Sequence, residues 1–375
     1  MKTKLFFIIN SFSWGGGAES LLTTIMNALD DTGRYEIGVM EIIHADVKKE
    51  PINKSIKVYP YYTDADAPDR KERMYYVYHE WDKVIKEYIP DDYDVYISFN
   101  YLKPSFLLPP GKKNIAWIHG DIYDLINKYP NQIKDMSEER ELQREAFKKA
   151  NRIIAISDIT KQSIEDIYPE QKNKIIHLAN RVNVSRIKAM SEEKTDIKLE
   201  GYAIVFAGRF DSNKNPLRAV QIFSKVLKVR KNAHLYLLGY GALEQELVQT
   251  IRDNGLENHV HILGYFDNPF PVFGQASLML VTSLSEGGPL VILEGMALGK
   301  PFVSTDVGIS RRLCENQNVG GVFNDDDEAI YEILRLSDTD PETIKSACAE
   351  VISMYDTPEY IRRIENIIQD VISEK

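Results

Sequence analysis

Short runs of apolar residues alternate with segments of helical periodicity along almost the whole chain of 375 residues. The first such run is Lys4–Asn10, and later examples are Ala203–Ala207 and Leu278–Val281. Runs of this length and composition are typical of strands that are buried on both faces of a parallel sheet. Because strands and helices alternate in both halves, the sequence predicts an α/β protein with two doubly wound, Rossmann-like domains.

The stretch Ala179–Tyr202 carries much charge and shows no clear strand pattern, so it is expected to connect the two halves. We therefore place a first domain at residues 1–180 and a second at 181–356. Two such domains that face each other would bring the carboxyl ends of their strands together across a cleft. The segment 357–375 reads as an amphipathic helix that needs a partner surface.

Composition excludes several classes of function. A net charge of −10 argues against a general binder of nucleic acid or of anionic membranes. The two cysteines, Cys314 and Cys348, have no metal-type spacing and fit a reducing cytoplasm. The apolar run Leu5–Ile9 is too short for a signal peptide or a membrane span. These features predict a soluble cytoplasmic protein.

One predicted helical segment is compatible with contact to a membrane surface. Residues 69–89 begin with basic side chains and contain several aromatic ones, as a membrane-surface helix would. Acidic residues interrupt its polar face, which favours an ordinary helix that packs on the core. Localisation is therefore expected in the cytoplasm, with peripheral contact at the inner face of the membrane as an alternative.

Two glutamates, Glu286 and Glu294, with seven residues between them, stand in the segment that follows Leu278–Val281. Gly288 and Pro289 separate that predicted strand from a helix. Glycine lets backbone amides approach a ligand, and proline suits the first turn of a helix. A helix start of this kind is a ready anion site. The alternative is an ordinary strand–loop–helix unit with two surface glutamates.

Two cations stand at the end of another predicted strand. Arg209 and Lys214 follow Ala203–Ala207 and precede a helical pattern. An arginine fork and a lysine point charge beside helix amides would suit a diphosphate, whereas the alternative is two solvated loop residues. Gly239 and Gly241 follow the next strand along the chain.

A glycine-rich loop lies between the first strand and the first helix. Gly16 and Gly17 belong to it, and their backbone amides could hold a phosphate group. The loop matches neither the dinucleotide fingerprint nor the P-loop, so a tight turn that requires glycine is an equal alternative.

A histidine, His119, ends the predicted strand Lys113–Ile118. Ligand sites of open α/β sheets lie at such strand ends, which favours a functional role over a structural one. The other six histidines show no metal-ligand spacing.

Taken together, these motifs resemble the GT-B-fold retaining glycosyltransferases of family 4 over nearly the whole chain. The segment SLSEGGPLVILEGMALGKPFVSTDVG, Ser283–Gly308, is similar to the family's pair of glutamates with its downstream Gly-Lys-Pro. AGRFDSNKNP is similar to its Gly-Arg…Lys element, and the early GGGAE loop and His119 in IHGD occur in the family's order.

The resemblance implies transfer of a hexose-type sugar from a UDP- or GDP-linked donor, with retention of anomeric configuration. Arg209 and Lys214 would then hold the donor diphosphate, with help from the Gly17 backbone. Glu286 would contact the donor sugar and Glu294 the ribose hydroxyls. The remaining predicted contacts are His119 near the anomeric centre, backbone amides at Gly288, Pro289 and Leu290, and the nucleoside-side loops with Gly239 and Gly241.

Several further expectations follow from the resemblance. The last helix would pack back on the first domain. No metal or other cofactor is expected, since no Asp-x-Asp stands at a strand end and Arg209 and Lys214 are the natural substitute. Asn183 stands where the family often has aspartate, and Gly288 where it often has an aromatic residue, so the donor sugar stays undefined.

The acceptor is also undefined, with a glycan, a lipid-linked or a protein acceptor of the cell envelope as the candidates. No nucleic-acid partner is expected, and the sequence does not define the oligomeric state. Two other functions stay open. One is a nucleotide-sugar epimerase or hydrolase on the same fold, and the other is a non-catalytic sugar-binding subunit. The first would need acid/base groups that the sequence does not place, and the second usually lacks the cations and glutamates that this chain keeps.

Overall fold

The computed structural model describes residues 2–11, 17–43, 51–61, 76, 79–100, 103–119 and 136–374. The chain divides into two compact units. The first comprises Met1–Asn180 together with Pro358–Lys375, and the second comprises Arg181–Thr357. Each unit is built around one sheet, and every described strand pairing in both sheets is parallel.

The first unit contains a seven-stranded sheet in the order β3-β2-β1-β4-β5-β6-β7. Its strands are β1 (Thr3–Ile9), β2 (Tyr35–Glu41), β3 (Lys57–Pro60), β4 (Val95–Phe99), β5 (Asn114–Ile118), β6 (Arg152–Ala155) and β7 (Ile175–His177). Its described helices are α1 (Gly17–Asp31), α2 (Trp81–Tyr88), α3 (Lys103–Phe106), α4 (Met136–Lys149) and α5 (Asp158–Ile167), with a 3-10 helix over Pro169–Lys174.

The second unit contains a six-stranded sheet in the order β10-β9-β8-β11-β12-β13. Its strands are β8 (Tyr202–Ala207), β9 (Ala233–Leu238), β10 (Val260–Gly264), β11 (Leu278–Val281), β12 (Phe302–Thr305) and β13 (Gly320–Phe323). Its helices are α6 (Val184–Ser191), α7 (Pro216–Val229), α8 (Glu244–Asp253), α9 (Phe270–Phe273), α10 (Leu290–Ala297), α11 (Ser310–Leu313), α12 (Asp326–Ser337) and α13 (Pro341–Ser353).

The last helix, α14 (Thr357–Ser373), packs with its apolar face on the first unit. Tyr360 is buried, and its ring centroid lies 6.4 Å from that of Trp117. Arg34 and Glu365 form an ion pair of 2.6 Å, and Arg363 donates a hydrogen bond of 3.1 Å to the carbonyl of His177. The isoleucines of this segment recur at helical spacing because they form the apolar face of the helix, which is buried.

The prediction of two doubly wound, parallel-sheet α/β domains is confirmed, but the predicted connection at Ala179–Tyr202 contains a helix. This helix, α6, begins after Asn183, whose side-chain oxygen accepts a hydrogen bond of 2.9 Å from the backbone N–H of Arg186. Asparagine and aspartate cap helices about equally well, so the helix start tolerates either residue at this position. Its single buried side chain, Ile187, explains why no apolar stripe marks it in the sequence.

The strand order of the second sheet reverses at its centre. Strands β9 and β10 extend from one side of β8, whereas β11, β12 and β13 extend from the other. The loops that follow β8 and β11 therefore leave the sheet on either side of a crevice at the carboxyl ends of the strands. Such a point of reversal is where open α/β sheets bind their ligands.

The structure describes only part of the helix that was predicted as a possible membrane contact. Of the helix predicted over residues 69–89, only residues 76 and 79–89, which include α2, lie within the described residues. Among the described helices, none combines the length and apolar composition that crossing a bilayer requires.

Candidate active site

An ion pair joins the two loops at the centre of the second sheet. The ammonium of Lys214, from the loop after β8, donates to Oε1 of Glu286, from the loop after β11. Ser283 donates a second hydrogen bond, of 2.7 Å, to the same oxygen. The side chains of Lys214 and Glu286 are only 25% and 14% exposed. The carboxylate is therefore held in one orientation in a partly desolvated setting, where charge interactions are stronger than in water.

Hydrogen bonds between the two loops keep this pair in register. The hydroxyl of Thr282, which is fully buried, donates to the carbonyls of Lys214 at 3.1 Å and Asn215 at 2.8 Å. The backbone N–H of Leu284 donates to the carbonyl of Asn213 at 2.7 Å. Buried carbonyls need such partners, so the bonds fix the path of both loops as well as the side chains on them.

Arg209 and Lys214 are positioned by one carboxylate. Oδ2 of Asp211 lies 3.0 Å from Nε of Arg209, and its Oδ1 accepts a hydrogen bond of 2.9 Å from the backbone N–H of Lys214. The Arg209 side chain is 69% exposed, so its guanidinium is open to a ligand from solvent. Asp211 thus shapes the loop that carries both cations.

The glycines after β9 allow a close approach of two backbone segments. A Cβ on Gly239 would lie 1.9 Å from the carbonyl oxygen of Gly208, and one on Gly241 would lie 2.5 Å from that of Phe210. The N–H of Phe210 donates to the carbonyl of Tyr240 at 2.8 Å. Neither glycine position can therefore take a side chain without moving the segment that leads to Arg209.

Two tyrosines stand beside these glycines. Tyr240 and Tyr265 follow β9 and β10, each is 46% exposed, and their rings meet edge to face with centroids 5.8 Å apart. Exposed aromatic faces at this strand end can stack on a planar ligand.

The second glutamate lies on the helix that follows the ion pair. Glu294 is a partly buried residue of α10. This helix begins at Leu290, so Pro289 is its N-cap with φ −69° and ψ 96°, one position earlier than the predicted first turn. Gly308, with φ +55°, packs against this entry, since a Cβ there would lie 2.8 Å from Cδ of Pro289 and 3.2 Å from Cα of Gly288.

Two of the predicted site residues, His119 and Gly17, belong to the first unit. His119 follows β5, and its ring centroid lies 4.3 Å from that of Phe99. Burial lowers the pKa of His119 to about 3, so its imidazole is neutral at physiological pH. Within the described residues, no hydrogen-bond partner reaches its buried Nε2. Gly17 begins α1, whereas Gly16 lies outside the described residues.

Together, these observations place Arg209, Lys214 and Glu286 on adjacent strand ends of one sheet. Sequence reasoning missed Asp211 and Ser283, which orient them. An aspartate three residues before Lys214 is a recognisable signal, because Asp side chains often accept from a backbone N–H further along a turn. The role of Ser283 depends on the neighbouring loop and has no such local signal. Among the residues that the structure describes, no group of three or more His, Cys, Asp or Glu is arranged to hold a metal ion.

Comparison with known proteins identifies relatives of this site. Residues 201–339 match the sequence model of the family described as glycosyl transferases group 1. The chain is 28% identical over 180 residues to an uncharacterized glycosyltransferase of Methanocaldococcus jannaschii, which covers 46% of this chain and 44% of the relative. It is 26% identical over 226 residues to the poly(glycerol-phosphate) alpha-glucosyltransferase of Bacillus subtilis, which covers 58% of this chain and 33% of the relative. The chain thus spans less than half the length of these curated relatives.

Solved structures share the whole fold at low identity. HepE of Anabaena, in complex with UDP, superposes with a TM-score of 0.71 at 15% identity and covers 98% of this chain and 100% of its own. Sucrose-phosphate synthase of Thermosynechococcus elongatus superposes with a TM-score of 0.78 at 14% identity and covers 99% of each chain.

Proposed function

We propose that this chain, whose residues 201–339 match the group 1 glycosyltransferases and whose fold is GT-B, transfers a sugar from a nucleotide-sugar donor. The donor would be a UDP- or GDP-linked hexose, and the product would retain the anomeric configuration. The observation that carries the proposal is the Lys214–Glu286 pair at the reversal point of the second sheet. In this proposal Lys214 would serve as a cation for the diphosphate, and the adjacent Glu286 would accept hydrogen bonds from sugar hydroxyls.

The cations would act on the leaving group. As the bond between the anomeric carbon and the phosphate oxygen breaks, negative charge develops on the nucleoside diphosphate. Lys214 and Arg209 would stabilise that charge without rearranging, because the loop bonds of Asp211 already fix their segment. An ammonium carries three N–H donors, so Lys214 can hold Glu286 and a phosphate oxygen at once.

The two glutamates would divide the recognition of the donor. Glu286, oriented by Ser283 and Lys214, would accept hydrogen bonds from hydroxyls of the transferred sugar. Glu294 on α10 would accept from the ribose hydroxyls, and the backbone amides near Gly288 and Leu290 would assist at the sugar.

The nucleoside of the donor would lie beside the loops that follow β9 and β10. Gly239 and Gly241 bring the loop after β9 into close contact with the backbone of Gly208 and Phe210, and we propose that the base lies beside this loop. Tyr240 and Tyr265 present exposed rings at this place, and either ring can stack on a base.

The first unit would supply a neutral imidazole and backbone amides. His119 does not carry a positive charge at physiological pH, so it would act near the anomeric centre as a hydrogen-bonding group rather than as an acid. The start of α1 at Gly17, with Gly16 before it, would add amides toward the donor phosphates.

We infer same-face attack for the reaction itself. The acceptor hydroxyl oxygen would bond to the anomeric carbon on the side from which the diphosphate leaves, and its proton would pass to the departing phosphate oxygen. Retention then needs no carboxylate nucleophile. We also propose that the reaction needs no metal, since Arg209 and Lys214 supply the positive charge that a divalent ion provides in other transferases.

The acceptor is proposed from the relatives. The relative in Bacillus subtilis is named for transfer of glucose to poly(glycerol-phosphate), and one in Campylobacter jejuni for transfer to a diphospho-undecaprenol-linked sugar. We therefore propose a cell-envelope glycan or lipid-linked acceptor and a reaction on the cytoplasmic side of the membrane. Nucleic acid is not a proposed partner.

The decisive test is transfer by the purified chain. It would be incubated with UDP- and GDP-linked sugars and with glycan and lipid-linked acceptors, with EDTA present and absent. We expect a product whose anomeric proton coupling in NMR matches that of the donor, at equal rates with EDTA. Inversion would exclude same-face attack, loss of rate with EDTA would exclude metal independence, and absence of transfer, hydrolysis and nucleotide binding would exclude the function.

A further inference from the structure

The first unit contains a basic pocket at the amino ends of its strands, and His119 lies at the opposite, carboxyl end of β5. The pocket lies at the amino ends of β5, β6 and β7 and has a volume of about 580 Å3. Six of its ten lining residues are cations, namely Lys112, Lys113, Lys148, Lys149, Arg152 and Lys174. Glu374 is the single acidic residue among them. Such a concentration of positive charge contrasts with the net charge of −10 of the whole chain.

Two partly buried lysines of the basic pocket donate hydrogen bonds to backbone carbonyl groups. Nζ of Lys149 donates to the carbonyls of Phe106 at 3.0 Å and Leu108 at 3.1 Å. Nζ of Lys174 donates to the carbonyls of Phe147 at 3.1 Å and Lys148 at 3.2 Å. These bonds cap the C-terminal ends of α3 and α4, but a carbonyl carries only a partial charge. Burial lowers the pKa of both Lys149 and Lys174, because desolvation disfavours the charged form of an ammonium group.

The carboxylate of Glu374 is bound by donors of the basic pocket. Oε2 of its carboxylate accepts a hydrogen bond of 2.9 Å from the side-chain amide of Asn151, and Oε1 pairs with Arg152. Lys113 donates to its backbone carbonyl. The bond from Asn151, with help from Arg152, lowers the pKa of Glu374. An arginine, an amide and lysines around one carboxylate are the donors that also recognise phosphate oxygens.

We propose that the basic pocket binds a phosphate-bearing anion, for which the carboxylate of Glu374 is an intramolecular competitor. Arg152 pairs with Glu374, and Lys148 pairs with Glu145, which lies outside the pocket lining. The ammonium groups of the other four lysines donate to carbonyl oxygens, so they leave the pocket with charge for a dianionic group. The same chemistry would recognise a free phosphate compound or the head group of an anionic phospholipid. The basic pocket is formed by residues of the first unit, whereas Lys214 belongs to the second, and the proposal does not depend on the glycosyl transfer proposed above.

Binding to the full chain tests this proposal. The probes are inorganic pyrophosphate, followed by calorimetry, and vesicles of phosphatidylcholine with or without phosphatidylglycerol, followed by co-sedimentation. Pyrophosphate can also meet Arg209 and Lys214, so each titration is repeated in an Arg209→Ala/Lys214→Ala background. Binding of pyrophosphate in that background would identify a free phosphate compound as the ligand, and binding to phosphatidylglycerol vesicles alone would identify a head group.

Three variants assign the binding to the basic pocket. Lys112→Gln/Lys148→Gln removes two of its exposed lysines and should weaken binding about tenfold, as loss of charge-assisted contacts would. Arg152→Gln should weaken it similarly. Glu374→Gln should tighten binding about threefold or more, because it removes the competing carboxylate. A merely structural pocket would not show this gain.

Lys161→Gln/Lys172→Gln is the matched control. Both lysines lie in the first unit, outside the basic pocket, and are 43% and 68% exposed. The control should bind within about twofold of wild type, as expected for surface charges. Equal weakening in the control, no gain with Glu374→Gln in a variant that melts at the wild-type temperature, or no binding of either probe would overturn the proposal.

Discussion

The ammonium of Lys214 donates a hydrogen bond to Oε1 of Glu286, although 72 positions separate the two residues in the chain. The pair exists because β8 and β11 are neighbours at the centre of the second sheet, and Thr282 joins their following loops. Each residue therefore keeps its position through the other. The group that would hold the diphosphate and the group that would hold the sugar form one electrostatic unit.

We expect Lys214→Ala to lower kcat/KM for the nucleotide sugar by about 10²–10³, since it removes a cation aimed at charge that develops in the transition state. Initial rates with saturating acceptor would measure this. The variant also leaves the partly buried carboxylate of Glu286 without its cation, so Lys214→Ala/Glu286→Gln should recover stability without recovering rate.

Lys225→Ala is the control for that experiment. Lys225 lies on α7 of the same unit and is 47% exposed, with a surface ion pair of 3.6 Å to Asp327. Its loss should change the rate by less than about twofold. Equal losses for Lys214→Ala and Lys225→Ala would exclude a special role of Lys214.

Asp211 is expected to act through the two cations that it orients. Asp211→Asn keeps an oxygen for the backbone N–H of Lys214 but removes the charge beside Arg209, whereas Asp211→Ala removes both contacts. We expect losses in kcat/KM of roughly tenfold for asparagine and up to about 10² for alanine. Initial rates over a range of donor concentrations would separate KM from kcat. Equal rates for all three proteins would contradict the positioning role.

Gly239→Ala should disrupt the part of the site that is proposed to hold the nucleoside. Its Cβ would lie 1.9 Å from the Gly208 carbonyl oxygen at φ +143°, so the loop before Arg209 must move. We expect a loss of at least about 3 kcal/mol in the free energy of unfolding and weaker nucleotide binding. Gly255→Ala is the matched control, because φ is +63° there but nothing lies within 4 Å of the added Cβ. It should lose only about 1–2 kcal/mol and bind nucleotide normally.

His119 should make the first unit sensitive to acid. Burial holds its pKa at about 3 in the folded chain, below the ordinary 6.5, so the unfolded chain takes up the proton first as the pH falls. Its contribution to stability is therefore complete above pH 6.5 and is lost between pH 6.5 and about 3.

Urea unfolding at two pH values would measure this effect. Between about pH 7.5 and about pH 5, wild type should lose about 2 kcal/mol more than His119→Gln. His79→Gln, at an exposed histidine of the same unit, should follow wild type. Parallel losses in wild type and His119→Gln would show that the imidazole is not held neutral by burial.

The alternation of apolar runs and helical patterns was sufficient to predict the architecture. Most residues of strands such as β1 and β8 are buried, so these strands stand out as continuous apolar runs in the sequence. The resemblance to group 1 glycosyltransferases of the GT-B fold is likewise confirmed. The helix α6 was missed because a short helix with one buried side chain, Ile187, leaves no apolar stripe.

The relationships within the site were harder to predict. The sequence was sufficient to identify Arg209, Lys214 and Glu286 as charged residues that follow strands. The local sequence of β8 or β11 does not predict that these two strands are neighbours in the sheet. Asp211, Thr282 and Ser283 act through that neighbourhood, so their roles required the structure. The assignment of individual residues to phosphate, sugar and ribose stays a prediction.

The pairing of β8 with β11 also bears on how the protein is synthesised. Strands β9 and β10 build on the other edge of β8 and leave the ribosome first, so half of the second sheet can form before β11 exists. At 5–20 residues per second, Lys214 precedes Glu286 by roughly 4–14 seconds. During that interval the nascent chain presents the two cations without their glutamate. The proposed donor site is thus completed only when translation passes the loop that begins at Thr282.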